Sequence, residues 1–226
     1  MSPNHTFASP AQHSLNNADR LKRINEEFKA GYALVETITN GVTFFGSSRM
    51  KDGEDHYNNA RQLANELAKR GSTIITGGGP GIMEAANCGA REAGGRSVAF
   101  NIELKKEQGN QYITDAVSFY YFFIRKVMLA SSAKAYVFYP GGFGTLDEFF
   151  EISTLIETNK LHEDVPVVLM GTDYWEPLMR WLRHTVVEKH HAFEPEDFSM
   201  WKITDSVEEA LDVIERCNGR MGVCKY

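Results

Sequence analysis

A chain of 226 residues is long enough to bury one full core, and 42% apolar with 24% charged residues is the balance of an ordinary globular domain. A net charge of −6 and a pI near 5.7 argue against a surface that binds nucleic acid nonspecifically, although a local basic pocket for one small anion stays open. The three cysteines (Cys88, Cys217, Cys224) have no CxxC spacing, which suggests neither a disulfide framework nor a zinc site and makes a reducing cytoplasm the expectation.

Residues 1–13 are polar with two prolines and read as a disordered lead-in without the apolar stretch of a signal peptide. No run of about 18 apolar residues occurs anywhere, so no membrane partner is expected. Residues 14–226 read as a single domain, beginning with an added helix from Ser14 to about Glu36. A βα rhythm follows. The segment 41–46 is an apolar strand ending in glycine, and 54–71 a helix with Ala60, Leu63, Ala64 and Leu67 on one face. Strand 72–79 leads to helix 82–94, and strand 96–102 follows. Residues 116–123 read as a strand passing into a helix around 124–133. Strand 133–140, helix 145–160, strand 165–171 and a long helix over 174–191 complete the middle. A short strand at 201–204 precedes a last helix over 206–217, where Ser206 and Glu209 have capping-box spacing.

Strands apolar throughout and alternating with amphipathic helices predict a parallel sheet covered on both faces, a Rossmann-like doubly wound α/β domain. Ligands of such sheets bind beyond the carboxyl ends of the strands. Three strand-to-helix junctions there are rich in small residues: "FGSSR" (45–49), "TGGGPGIME" (76–84) and "PGGFGTLDE" (140–148). Glycine lets an anion approach backbone amides, and the helix that follows supplies amides without partners. Gly46, Ser47, Ser48, Gly78, Gly79, Pro140, Gly141, Gly142, Gly144 and Thr145 are therefore candidate phosphate-binding residues, with Thr76 a further hydroxyl donor. The chain lacks GxxxxGK[ST], and Ile82 occupies the place of the third glycine of GxGxxG. P-loop hydrolysis and dinucleotide-dependent redox chemistry are thus unsupported, and Glu103, at the spacing of a ribose-binding acid, carries little weight without those glycines.

Glu148 admits two readings. With Thr145 it has the spacing of a capping box, in which it serves only the helix start. The helix pattern instead puts Leu146, Phe149, Phe150 and Ser153 inward and turns Glu148 and Glu151 toward solvent or a cleft. Arg125 and Lys126 form either a solvated helix face or a group that positions a phosphate or ribose, and spacing does not choose. The seven histidines make no metal pattern; His190 and His191 sit where positive charge suits a helix end. Trp175, Met179 and Trp181 read as core or subunit contact.

"TGGGPGIMEAAN", the pair Arg125–Lys126 and "PGGFGTLDE" together resemble the signatures of the LONELY GUY family over roughly residues 40–217. Its members are cytokinin riboside 5′-monophosphate phosphoribohydrolases and related nucleosidases, many formerly labelled lysine decarboxylases. The resemblance implies a Rossmann-like fold, a homodimer or larger homo-oligomer, and cleavage of a nucleoside 5′-monophosphate to free base and ribose 5-phosphate with no metal or organic cofactor. It implies Arg125 and Glu148 as the catalytic pair, "PGGFGT" with Thr145 as the phosphate cradle, and Lys126 and Thr154 as further substrate contacts. Phe143 stands where cytokinin-activating members commonly have Tyr and Asp147 where they have Glu, which leaves the preferred base open. Two other readings compete with it: a nucleotide or molybdenum-cofactor carrier of the same fold, and a pyridoxal-dependent decarboxylase, for which no motif supplies the Schiff-base lysine.

Overall fold

In the chain's own order, β1 (Gly41–Phe45), β2 (Thr73–Thr76), β3 (Ser97–Ile102) and β4 (Asp115–Phe119) step outward from the middle of one sheet, and β5 (Ala135–Phe138) then returns to pair with β1. Beyond β5 lie β6 (Val167–Met170) and β7 (Trp201–Thr204), giving the order β4-β3-β2-β1-β5-β6-β7 with every pairing parallel. The computed structural model describes residues 16–103, 109–162 and 164–218, with side chains to 216. The lead-in expected at 1–13, Cys224 and the side chain of Cys217 lie outside the described residues. The Rossmann-like α/β architecture expected from the sequence is the one observed.

Alternation along each strand divides the core into two layers. Val42, Phe44, Ile74, Ala135, Val137 and Val168 face α2 (Asp55–Lys69), α3 (Ile82–Glu92) and α7 (Val207–Asn218). Phe45, Ile75, Val98, Phe100, Tyr136 and Phe138 face α4 (Phe122–Ser131), α5 (Phe143–Glu157) and α6 (Thr172–Trp181). Edge strand β4 departs from the fully apolar pattern, since Ala116 and Ser118 are exposed there.

The added helix α1 (Asn17–Val35) docks against α4. Glu27 accepts hydrogen bonds from the amides of Tyr120 and Tyr121, each at 3.2 Å, just ahead of α4. Arg23 pairs with Glu27 and Glu103 and lies over the Tyr120 ring. Glu103 is thus engaged with α1, on the surface.

Two helices differ from their sequence reading. The long helix expected over 174–191 is α6 followed by a π-helical stretch, Leu182–Lys189, capped by His190. In α7, Ser206 Oγ accepts from the Glu209 amide at 3.2 Å, but the Ser206 amide donates to Thr204 Oγ1 and Glu209 turns to Lys202 and Thr204. Only the serine half of the expected capping box forms.

Candidate active site

The loops after β1, β2 and β5 meet where the strand order reverses, between β1 and β5. Ser47 joins them. Its amide donates to the Pro140 carbonyl at 3.0 Å, its carbonyl accepts from the Ile82 amide at 3.1 Å, and its Oγ accepts from the Arg49 amide at 3.1 Å. Gly81, at φ +73, passes so close to the Ser47 carbonyl that any Cβ would lie 2.2 Å from it. The three glycine-rich turns thereby line one cleft of about 990 Å³, within the size range of small-molecule sites.

Of the residues singled out from the sequence, Gly46, Ser47, Ser48, Gly78, Gly79, Arg125, Lys126, Pro140, Gly141, Gly142, Gly144, Thr145 and Glu148 line this cleft. Thr154 does not line it. It is exposed on α5, and its hydroxyl donates to the Phe150 carbonyl at 2.8 Å.

The three turns do different work. Thr76 is fully buried, and its hydroxyl donates to Asn87 Oδ1 and accepts from the Gly78 amide, so it offers nothing to a ligand. Asn87 passes the network to Ser97 at 2.7 Å and receives Asn110 at 2.9 Å, while Asn110 also binds the carbonyls of Gly78 and Gly79. That polar core fixes the β2 loop from behind. The β5 loop is the open one. Helix α5 begins at Phe143 with Gly142 as its N-cap and no capping side chain, so its first amides have no partner within the helix. A Cβ at Gly142 or Gly144 would meet nothing within 4 Å. Thr145 Oγ1 packs beneath Gly141, whose carbonyl accepts from the Tyr174 hydroxyl at 2.8 Å. Phe143 stands at the rim, 93% exposed.

Glu148 is not a capping residue. The helix starts three residues earlier than the capping box requires, because Gly142 rather than Thr145 is the extended N-cap residue. The inward stripe also differs: Glu148 is 7% exposed while Phe150 is exposed. Its Oε2 is buried without a hydrogen-bond partner. Burial, partly offset by Arg125 and Lys126 and reinforced by Glu151 and Asp147, pushes its pKa up to about 7.

Arg125 sits on α4 and donates from Nε to the Phe100 carbonyl at 2.9 Å. Lys126 reaches two carboxylates of α5, Asp147 at 2.8 Å and Glu151 at 3.2 Å. Desolvation opposes its charge, but those partners and Glu148 hold its pKa above the ordinary lysine value. Sequence reasoning missed Gly77, Asn101 and Tyr174. Gly77 and Asn101 line the cleft, and Asn101 Oδ1 is buried without a partner.

A family model described as "possible lysine decarboxylase" matches residues 83–214. A cytokinin riboside 5′-monophosphate phosphoribohydrolase of Arabidopsis thaliana is 30% identical over 150 residues, 64% of this chain and 68% of that one. The chain belongs to the LONELY GUY family. A second LONELY GUY relative of the same name, from Rhodococcoides fascians, is 26% identical over 151 residues, 65% of this chain and 76% of that one. The crystal structure of TM1055 superimposes with a TM-score of 0.60 at 28% identity, covering 79% of this chain and 99% of that chain. The molybdenum cofactor carrier protein of Chlamydomonas reinhardtii reaches the same TM-score at 20% identity, over 80% of this chain and 99% of its own, a likeness of fold alone. Among the described residues, no cluster of three or more His, Cys, Asp or Glu side chains could hold a metal ion, and no helix is long and apolar enough to cross a membrane.

Proposed function

We propose that this protein is a nucleoside 5′-monophosphate phosphoribohydrolase, cleaving the N-glycosidic bond of AMP-like or cytokinin riboside monophosphates to free base and ribose 5-phosphate. One observation carries the reading: a desolvated carboxylate, Glu148, shares a cleft with Arg125 and lies one turn below the uncapped amides of α5. The curated LONELY GUY relatives bear names for that reaction, which supports it.

In this mechanism the 5′-phosphate rests on the amides of Phe143, Gly144 and Thr145 and on the Thr145 hydroxyl. Holding the remote phosphate positions the sugar. As the bond from C1′ to the base nitrogen lengthens, positive charge builds on the ribose, and ionised Glu148 stabilises it. Glu148 then takes a proton from the attacking water, whose oxygen bonds to C1′. The electron pair of the broken bond leaves with the base, which picks up a proton. A carboxylate whose basicity is raised by burial suits that proton transfer near neutral pH. Arg125, held by the Phe100 carbonyl, orients the nucleotide and balances charge.

We place the enzyme in the cytoplasm as a homodimer or larger homo-oligomer; the buried free thiol of Cys88 and the exposed rings of Phe123 and Phe150 support this. The carrier alternative, binding without hydrolysis, draws on a likeness that speaks to fold alone. Incubation with a panel of nucleoside monophosphates, read by chromatography of free base and ribose 5-phosphate, tests the reading. Base release supports it, and tight binding without release would favour a carrier.

A further inference from the structure

Lys126 was expected to contact substrate, yet its ammonium is engaged by protein carboxylates. Nζ lies 2.8 Å from Asp147 Oδ2 and 3.2 Å from Glu151 Oε2, and the side chain is only 19% exposed. Asp147 and Glu151 are four residues apart on α5, neighbours on one helix surface, and like charges at that spacing repel. Glu148 stands between them, three residues before Glu151. Three carboxylates thus crowd little more than one helical turn; Glu148 Oε2 is buried without a hydrogen bond, and Glu151 Oε2 is buried against the Lys126 ammonium. Crowding of that kind drives protonation unless a cation intervenes.

Other charged groups surround the Glu148 carboxylate, and Arg125 favours its ionised form more strongly than Lys126 does. From α4, Arg125 faces it, with Nε already on the Phe100 carbonyl and Nη2 against Gly77. From α5 come Asp147 and Glu151 themselves. On the sheet side Tyr136, whose hydroxyl donates to the Ala130 carbonyl, feels Glu151. Across the cleft the β1 loop contributes Arg49.

We infer that Lys126 is a positioning residue: by binding Asp147 and Glu151 together, it offsets their charge beside Glu148 and so, with Arg125, favours the ionised carboxylate, rather than gripping the phosphate itself. The inference rests on the hydrolase reading for its consequence in turnover, but not for its electrostatics.

The test compares Lys126→Met, Lys126→Arg and Lys126→Met/Glu151→Gln with the native protein. In kcat against pH, Lys126→Met should move the acid limb up by roughly one pH unit. Lys126→Arg should hold it, and the double variant should return it. An unmoved limb with KM raised about tenfold or more would instead make Lys126 a direct ligand of the nucleotide and overturn the inference. The carboxyl ¹³C resonance of Glu148, assigned by its loss in Glu148→Gln, is titrated without nucleotide in the same variants. It should show the same order of midpoints. If the native protein releases no base from any nucleotide, the hydrolase reading fails, while this titration still decides the role of Lys126. Should Lys126→Met not fold, Glu151→Gln alone must lower the Glu148 midpoint, and an unchanged midpoint would overturn the inference.

Discussion

Arg125 occupies the space that a side chain on Gly77 would need: a Cβ there would lie 2.0 Å from Nη2. The β2 loop therefore helps set the guanidinium of α4, which its bond to the Phe100 carbonyl holds from the other side. Gly77→Ala should push Arg125 off that position. Displacement of a positioning group by about an ångström can cost on the order of 100-fold, so kcat/KM should fall roughly 10- to 100-fold. Steady-state kinetics with the best nucleotide of the panel checks this. Because the clash is with the far end of a long side chain that can swing away, denaturant unfolding should show a stability change of less than about 1 kcal/mol.

Glu148 makes a prediction in which activity and stability diverge with pH. Its folded pKa, about 7, lies above the unfolded value of 4.5, so the native state holds the proton more tightly. Stability from this group is present below pH 4.5 and is lost as pH rises through the window to about 7. Glu148→Gln should therefore be more stable than the native protein at pH 8, by up to about 3 kcal/mol, with little difference near pH 4.5. Native turnover should do the reverse, rising as pH climbs through about 7. Parallel thermal melts and initial rates across pH measure both.

Gly144 separates the fold from the phosphate site. It lies in the first turn of α5, and a Cβ there meets nothing within 4 Å. Alanine is the better helix former by up to about 1 kcal/mol, so Gly144→Ala should be neutral or stabilising. The new methyl would nevertheless intrude where the phosphate must approach the amides. The expected result is a raised Tm with nucleotide affinity weakened about tenfold or more, by calorimetric titration.

Asn87 is a structural counterpart. Fully buried, it joins Thr76, Ser97 and Asn110 behind the β2 loop. Asn87→Ala leaves several polar groups without partners, at about 1–3 kcal/mol each before relaxation. A loss of about 2–4 kcal/mol in urea unfolding is expected, with faster amide exchange in residues 77–79.

Much of this architecture is legible in the sequence, because βα alternation and the placement of glycine after strands are local signals. β1, β2, β3 and β5 through β7 fall within a few residues of their expected positions. What failed were choices between two local patterns. Thr145 and Glu148 match a capping box, but the turn closes at Gly142 and carries Glu148 into the cleft. Thr76 looked like a ligand hydroxyl until Asn87, eleven residues later, claimed it. Asn101 and Tyr174 carry no sequence signal, since a lone polar residue gains meaning from what the fold sets opposite it: Gly78 for one and the Gly141 carbonyl for the other. In the sequence Lys126 stands out only beside Arg125, and the fold gives it partners on another helix.

The most direct test of the account is release of ribose 5-phosphate by Glu148→Gln, measured beside nucleotide binding by the same variant. Turnover should fall by about 100-fold or more while the Kd for the nucleotide stays near the native value. Turnover that survives this substitution, or binding lost along with it, would contradict the assignment of Glu148 to the chemical step.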